Sequence, residues 1–101
     1  MNNQADLFQV FNFPKTSEQE VLLTLITQGH VSIFDFPYLS GFRTRVSQLQ
    51  KDKGIVLERF LDKRCNKFGN TYTYAIHKLN PNQKEFAINI YNNLTKNAKT
   101  N

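Results

Sequence analysis

The spacing of apolar residues shifts repeatedly along this chain, and each shift marks a change of element. After Pro14, the stretch Ser17-Glu18-Gln19-Glu20 opens onto Val21, Leu22, Leu23, Leu25 and Ile26, an apolar face of helical period. Ser17 can accept from the Glu20 N–H while Glu20 reaches back to Ser17, and both acids suit the positive end of a helix dipole. Gly29 then stands as a left-handed terminator, so the pattern predicts a first helix over residues 18–28. His30-Val31-Ser32-Ile33 reads as a short extended segment or a linker. Asp35 as N-cap and Pro37 in a first turn predict a short second helix over 35–39. A strand through Phe36 with one longer helix from Pro37 is the competing arrangement, and Gly41 favours the break. From Phe42 to Lys53 the period is helical again. At 100° per residue, Phe42, Val46, Leu49 and the stem of Lys53 form one narrow stripe. Thr44, Ser47, Gln48 and Lys51 lie opposite, flanked by Arg43 and Arg45.

Beyond Gly54 the pattern turns to β. Ile55–Cys65 and Thr71–His77 are rich in β-branched, aromatic and aliphatic residues, and Asn66-Lys67-Phe68-Gly69-Asn70 between them is a five-residue turn with glycine for a positive φ. Setting Cys65 opposite Thr71 places Phe60 against Ile76, Leu61 against Ala75, Leu57 against Leu79, Asp62 against Tyr74 and Glu58 against Lys78. These pairs are chemically sensible, although a slip of one residue is the alternative. Asn80-Pro81 starts a last helix, along which Phe86, Ile90 and Leu94 recur at i, i+4 and i+8, flanked by Ala87 and Tyr91. The chain divides into an apolar N-terminal arm (1–15), a domain (16–79), an amphipathic C-terminal helix (80–95) and a flexible tail (96–101). The arm carries Leu7, Phe8, Val10, Phe11 and Phe13, suited to packing on the domain or on a second copy.

Charge sharpens the picture. Residues 1–40 carry one base against four acids, whereas residues 41–101 carry twelve bases against four acids, within a net charge of +5. A basic half on a small domain suggests a polyanionic partner; the plainer reading is a solvated basic surface. With 40% hydrophobic and 13% aromatic residues the chain has the apolar content of a folded domain. The longest apolar stretch, residues 21–26, is too short to span a bilayer, and no basic residue precedes the first apolar ones. A cytoplasmic protein without membrane contact is expected.

Helix, short helix, turn, longer helix and β-hairpin is the winged helix-turn-helix order, an α+β fold of three N-terminal helices, a hairpin wing and here an additional C-terminal helix. The segment Gly41-Phe42-Arg43-Thr44-Arg45-Val46-Ser47-Gln48-Leu49, then Lys53-Gly54-Ile55, then Tyr72-Thr73-Tyr74-Ala75-Ile76 ending at Leu79, resembles small phage- and prophage-type winged helix-turn-helix DNA-binding domains. The likeness spans residues 17–79 and rests on topology and spacing. It departs from the family pattern at Phe36-Pro37 and in the helix after Asn80. It implies that the second helix of the pair enters the major groove of double-stranded DNA, with the wing against the backbone.

Residues 41–78 hold nine bases against three acids. By side-chain chemistry Arg43, Thr44, Ser47 and Gln48 are the base-edge candidates. Ser40, Arg45, Lys51, Lys63, Arg64 and Lys67 are the phosphate candidates, which position without reading sequence. The stem of Arg45 could instead cover the core edge while its head pairs with an acid such as Asp35. Phe68 at the wing tip could insert at a minor groove, stack on a base or fold back on the hairpin. Phe60, Tyr72 and Tyr74 could form a stacking surface for RNA, but a two-stranded wing more often buries such residues against helices.

Other chemistry finds little support. Cys65, His30 and His77 share no metal-ligand spacing, Cys65 has no evident base, and the four glycines form no phosphate loop. No enzyme activity, cofactor, metal or small-molecule ligand is expected. The leading expectation is a homodimeric, sequence-specific regulator of phage or mobile-element type acting by site occupancy. An architectural, excisionase-like DNA-bending factor and a winged protein-interaction module are the alternatives.

Overall fold

The structure, a computed structural model, describes residues 11–99. It is a mixed α+β domain of three α-helices and one three-stranded antiparallel sheet. In chain order these are α1 (Ser17–Gln28), β1 (His30–Ser32), a 3-10 turn (Ile33–Asp35), α2 (Phe42–Lys51), β2 (Leu57–Cys65), β3 (Thr71–Leu79), a second 3-10 turn (Pro81–Gln83) and α3 (Lys84–Lys99).

Among the described residues two helices precede the hairpin, with a 3-10 turn where the sequence suggested a short helix over 35–39. Local hydrogen bonds explain the change. Ser32, not Asp35, is the cap: its hydroxyl accepts from the Phe34 N–H (3.3 Å), and Asp35 reaches back to accept from the Ser32 N–H (2.7 Å). Pro37 then disfavours α geometry at Phe36, whose φ is −134°. The Phe36 ring is buried and stacks on Phe42 at 5.7 Å. At the start of α1 the cap is Thr16 rather than Ser17, and its hydroxyl accepts from the Gln19 N–H. Glu20 is left free to accept from the Tyr38 hydroxyl at 2.7 Å.

The sheet order is β1-β3-β2. The hairpin register is the one that sets Cys65 opposite Thr71 and Leu57 opposite Leu79, without slip. The segment from His30 pairs with the base of β3, Val31 opposite His77, so the sheet brings residues from both ends of the domain together. Strand alternation puts Val31, Arg59, Leu61, Ala75, His77 and Leu79 on the face toward α2, and Phe60, Arg64, Tyr72, Tyr74 and Ile76 on the other.

The core lies where α1, α2, α3 and the base of the sheet meet. Val21, Leu22 and Leu25 of α1, Phe42, Val46 and Leu49 of α2, and Ala87 and Tyr91 of α3 are all buried. The stripe expected on α2 is the one buried. On α3 the buried row is Ala87, Tyr91 and Thr95, turned one residue from the expected Phe86, Ile90 and Leu94; Phe86 is 43% exposed. In this orientation the Tyr91 ring joins the core, its hydroxyl donates to the Asn12 carbonyl, and the Asn12 amide donates to the Thr95 hydroxyl at 3.2 Å. Phe11 adds an edge-on ring contact to Tyr91 at 5.8 Å. The end of the N-terminal arm thus packs on its own α3. Leu7, Phe8 and Val10 lie outside the described residues, as do the last two of the tail, while α3 continues to Lys99, past the expected end at 95.

Candidate functional site

Helix α2 is preceded by Gly41 as its N-cap, whose φ of 78° is open to glycine and strained for other residues. With Phe42, Val46 and Leu49 inward, its other positions split into two flanks. Arg43, Ser47, Gln50 and Lys51 face the hairpin, and Thr44, Gln48 and Arg45 lie on the far flank. The four base-edge candidates therefore occupy two adjoining strips rather than one. Arg43 and Thr44 are exposed in the first turn, and Ser47 and Gln48 are half-buried one turn on. Ser40 is exposed in the turn just ahead of the helix.

Arg45 is drawn back along its own helix, where one guanidinium N–H donates to Gln48 Oε1 at 3.0 Å. Its Nε is buried without a hydrogen-bond partner. The pairing of Arg45 with Asp35 does not form: Asp35 instead accepts from Gln28 (3.2 Å) and Ser32. The Gln48 carbonyl oxygen accepts from Arg45 instead, within the same helix.

The hairpin extends beyond the core, and every residue of β2 after Leu57 is exposed. Its basic residues alternate between faces. Lys63 follows Arg59 on the face toward α2, while Arg64 is on the opposite face. Arg64 lies flat on an aromatic cluster, its guanidinium carbon 4.0 Å from the Phe34 ring centroid and 5.6 Å from that of Tyr74. Phe34 in turn meets Tyr74 edge-on at 4.8 Å. The expectation that Phe60, Tyr72 and Tyr74 are buried against helices is not met: Phe60 is 48% exposed and Tyr72 and Tyr74 border a groove. The cause is that β1 covers only the base of β3, leaving the outer half of its edge to the 3-10 turn and Phe34. At the tip, the Asn66 side chain accepts from the N–H groups of Phe68 (2.9 Å) and Asn70 (3.0 Å), which stiffens the turn. Phe68 is 77% exposed, with the Lys67 ammonium 5.3 Å from its ring centroid.

Between α2 and the hairpin runs a groove of about 790 Å³. Its floor is Phe42, Val46, Leu61 and Ala75; Phe34, Tyr72 and Tyr74 border it where the edge of β3 is uncovered; and Arg43, Lys51 and Arg59 supply charge. No carboxylate lines it. His77 lies at its base, largely buried; burial, followed by the nearby Arg59 and Arg43 charges, lowers its pKa from the usual histidine value. No motif or spacing in the sequence assigns Arg59, Gln50, His77 or Phe34 to a site. The hairpin register already placed Arg59 opposite His77, but their meeting with Arg43 depends on how α2 packs. Among the described residues no three of His, Cys, Asp and Glu gather as metal ligands, and no helix is long and apolar enough to cross a membrane. Cys65 is exposed and unbridged. Comparison with protein-family models, curated proteins and solved structures finds no match to this chain.

Proposed function

We propose that this is a winged helix-turn-helix protein that binds double-stranded DNA in a sequence-specific way and regulates by occupying its site. The supporting observation is one of placement. The outward side of α2, with Arg43, Thr44, Ser47 and Lys51, adjoins a hairpin face with Arg59 and Lys63, and no acidic side chain lines the groove between them. The order α1-β1-turn-α2-β2-β3, with β3 central in the sheet, agrees with this reading. In it, α2 offers side chains to base edges, while Lys51, Lys63 and Lys67 neutralise phosphates and Arg64, on the other face of the hairpin, holds the wing to Phe34. A homodimer would double the contacted site, and the half-exposed Phe86 on α3, beside the partly buried Ile90 and Leu94, is the surface that favours one.

The test is fluorescence anisotropy with pooled genomic duplexes, including the gene's own upstream region, at low and near-physiological salt. A subset of duplexes should bind tightly, with log K falling by about 0.9 per phosphate neutralised against log salt. Arg43→Glu combined with Lys63→Glu, both exposed and on the side that faces the groove, should abolish that binding while circular dichroism stays unchanged. Absence of binding at low salt would sink the proposal and leave a protein-interaction module as the better account of the exposed hairpin. Light scattering at tens of micromolar decides the dimer; a strict monomer removes it.

A further inference from the structure

We propose that the groove between α2 and the hairpin is a binding site for a small apolar anion: a flat aromatic or aliphatic body carrying one carboxylate or sulfonate. The volume, about 790 Å³, is in the range of small-molecule sites. The chemistry of its surface narrows the class. Phe42, Val46, Leu61 and Ala75 form an apolar floor, which a sugar–phosphate backbone would not use but an apolar ring system would. Phe34, Tyr72 and Tyr74 border the groove where the edge of β3 is left uncovered by β1 and extend its apolar boundary.

Charge complementarity gives the sign of the ligand. Arg43 and Lys51 of α2 and Arg59 of β2 border the groove, with no carboxylate among the lining residues to balance them. A neutral or cationic ligand would leave that excess uncompensated. His77 adds a polar group at the base. Arg43 from α2 and Arg59 from β2 face it, and its β1 neighbour is the uncharged Val31. An anion seated between the two arginines relieves the repulsion that disfavours the imidazolium, so binding should raise the pKa of His77.

Occupancy has a consequence that rests on the DNA-binding reading. Arg43 and Lys51 belong both to the groove and to the outward side of α2, so a bound anion would compete with DNA. The protein would then carry its own effector site without a separate ligand domain.

The test is a ¹⁵N-HSQC titration of the full chain, without DNA, using 1-naphthoate and its neutral counterpart 1-naphthamide. Naphthoate should shift the amides of Val46, Ser47, Ala75 and His77 with a dissociation constant on the order of a millimolar, typical for so few heavy atoms. Naphthamide should bind about tenfold more weakly, and Arg59→Gln should weaken naphthoate by about the same factor. Leu61→Gln, at a 61%-exposed position that folding tolerates, should weaken both compounds. The His77 pKa should rise on saturation with naphthoate. The proposal is overturned by an absence of localised shifts at several millimolar, by equal affinity for the two compounds, or by indifference to Arg59→Gln. Anisotropy with a bound duplex examines the competition separately: release by naphthoate supports it, and retention at saturation removes it. A chain that binds no duplex at all would refute the DNA reading, while the titration still decides the ligand site.

Discussion

The contact between Arg64 and Phe34 should act as a latch that sets the hairpin against the body of the domain. Phe34 receives the guanidinium at 4.0 Å on its face and presents a perpendicular contact to Tyr74 at 4.8 Å. An arginine over an aromatic ring at an exposed site contributes about 0.5–1 kcal/mol. A perpendicular aromatic pair adds about 0.5–1.5 kcal/mol beyond its buried area. Arg64→Gln removes the first contribution alone and should destabilise by about 0.5–1 kcal/mol, roughly 2–8 °C in a domain of this size. Phe34→Leu keeps apolar bulk but removes both, so its expected loss is about 1–2.5 kcal/mol. The informative quantity is their coupling. In a double-mutant cycle by urea denaturation, followed by circular dichroism, the double variant should lose about 0.5–1 kcal/mol less than the sum of the single losses. Arg64→Lys keeps the charge without the plane and should retain only part of the stabilisation. Additivity to within the error of the cycle would refute the latch, since it would mean that the guanidinium and the ring stabilise independently.

Three further expectations concern the core, the groove and the tip. Tyr91→Phe removes the hydroxyl that donates to the Asn12 carbonyl and should lower stability by about 1–2 kcal/mol in denaturant melts. In the native chain burial also raises the Tyr91 pKa, so its contribution is complete below pH of about 10 and is lost as pH rises further; Tyr91→Phe should flatten that decline. For His77 the sign is reversed. Burial and the two arginines lower its folded pKa, so the unfolded chain takes up the proton first. Stability is then fully present above pH of about 6.5 and falls as pH drops through the lowered folded value, and a His77→Gln variant that kept the same slope would rule out this origin. Lys67→Ala should weaken binding to all duplexes alike and reduce the salt slope by about one; a change in sequence preference would instead make Lys67 a base contact.

Much of the architecture was legible because its signals are local. The stripe of Phe42, Val46 and Leu49 is a consequence of helical period, and the same three residues are buried. The hairpin register followed from strand length and a five-residue turn whose glycine has a φ of 85°. Neighbour-level chemistry went astray where two local solutions compete, as at Thr16 against Ser17 for the cap of α1 and Ser32 against Asp35 for the turn before α2. In the second case Phe36 decides, because its ring is needed in the core against Phe42 and the backbone must bend to deliver it.

The site depended more heavily on tertiary structure. Which residues of the hairpin were basic was plain, but strand alternation sends Lys63 toward α2 and Arg64 to the other face, where Phe34 holds it. Phe34 is 30 residues earlier in the chain, so no periodicity could announce the contact. The face of α3 was set by tertiary packing: the Tyr91 ring is buried in the core and its hydroxyl meets the carbonyl of Asn12, 79 residues away, while Phe86 is left half-exposed. The groove is the clearest case. By itself the sequence determined helix faces, strand pairing and an excess of positive charge, because these follow from spacing along one segment. That Arg43, Arg59 and His77 meet over an apolar floor was decided only by the packing of α2 across the sheet, since burial and charge proximity are properties of space and not of sequence separation.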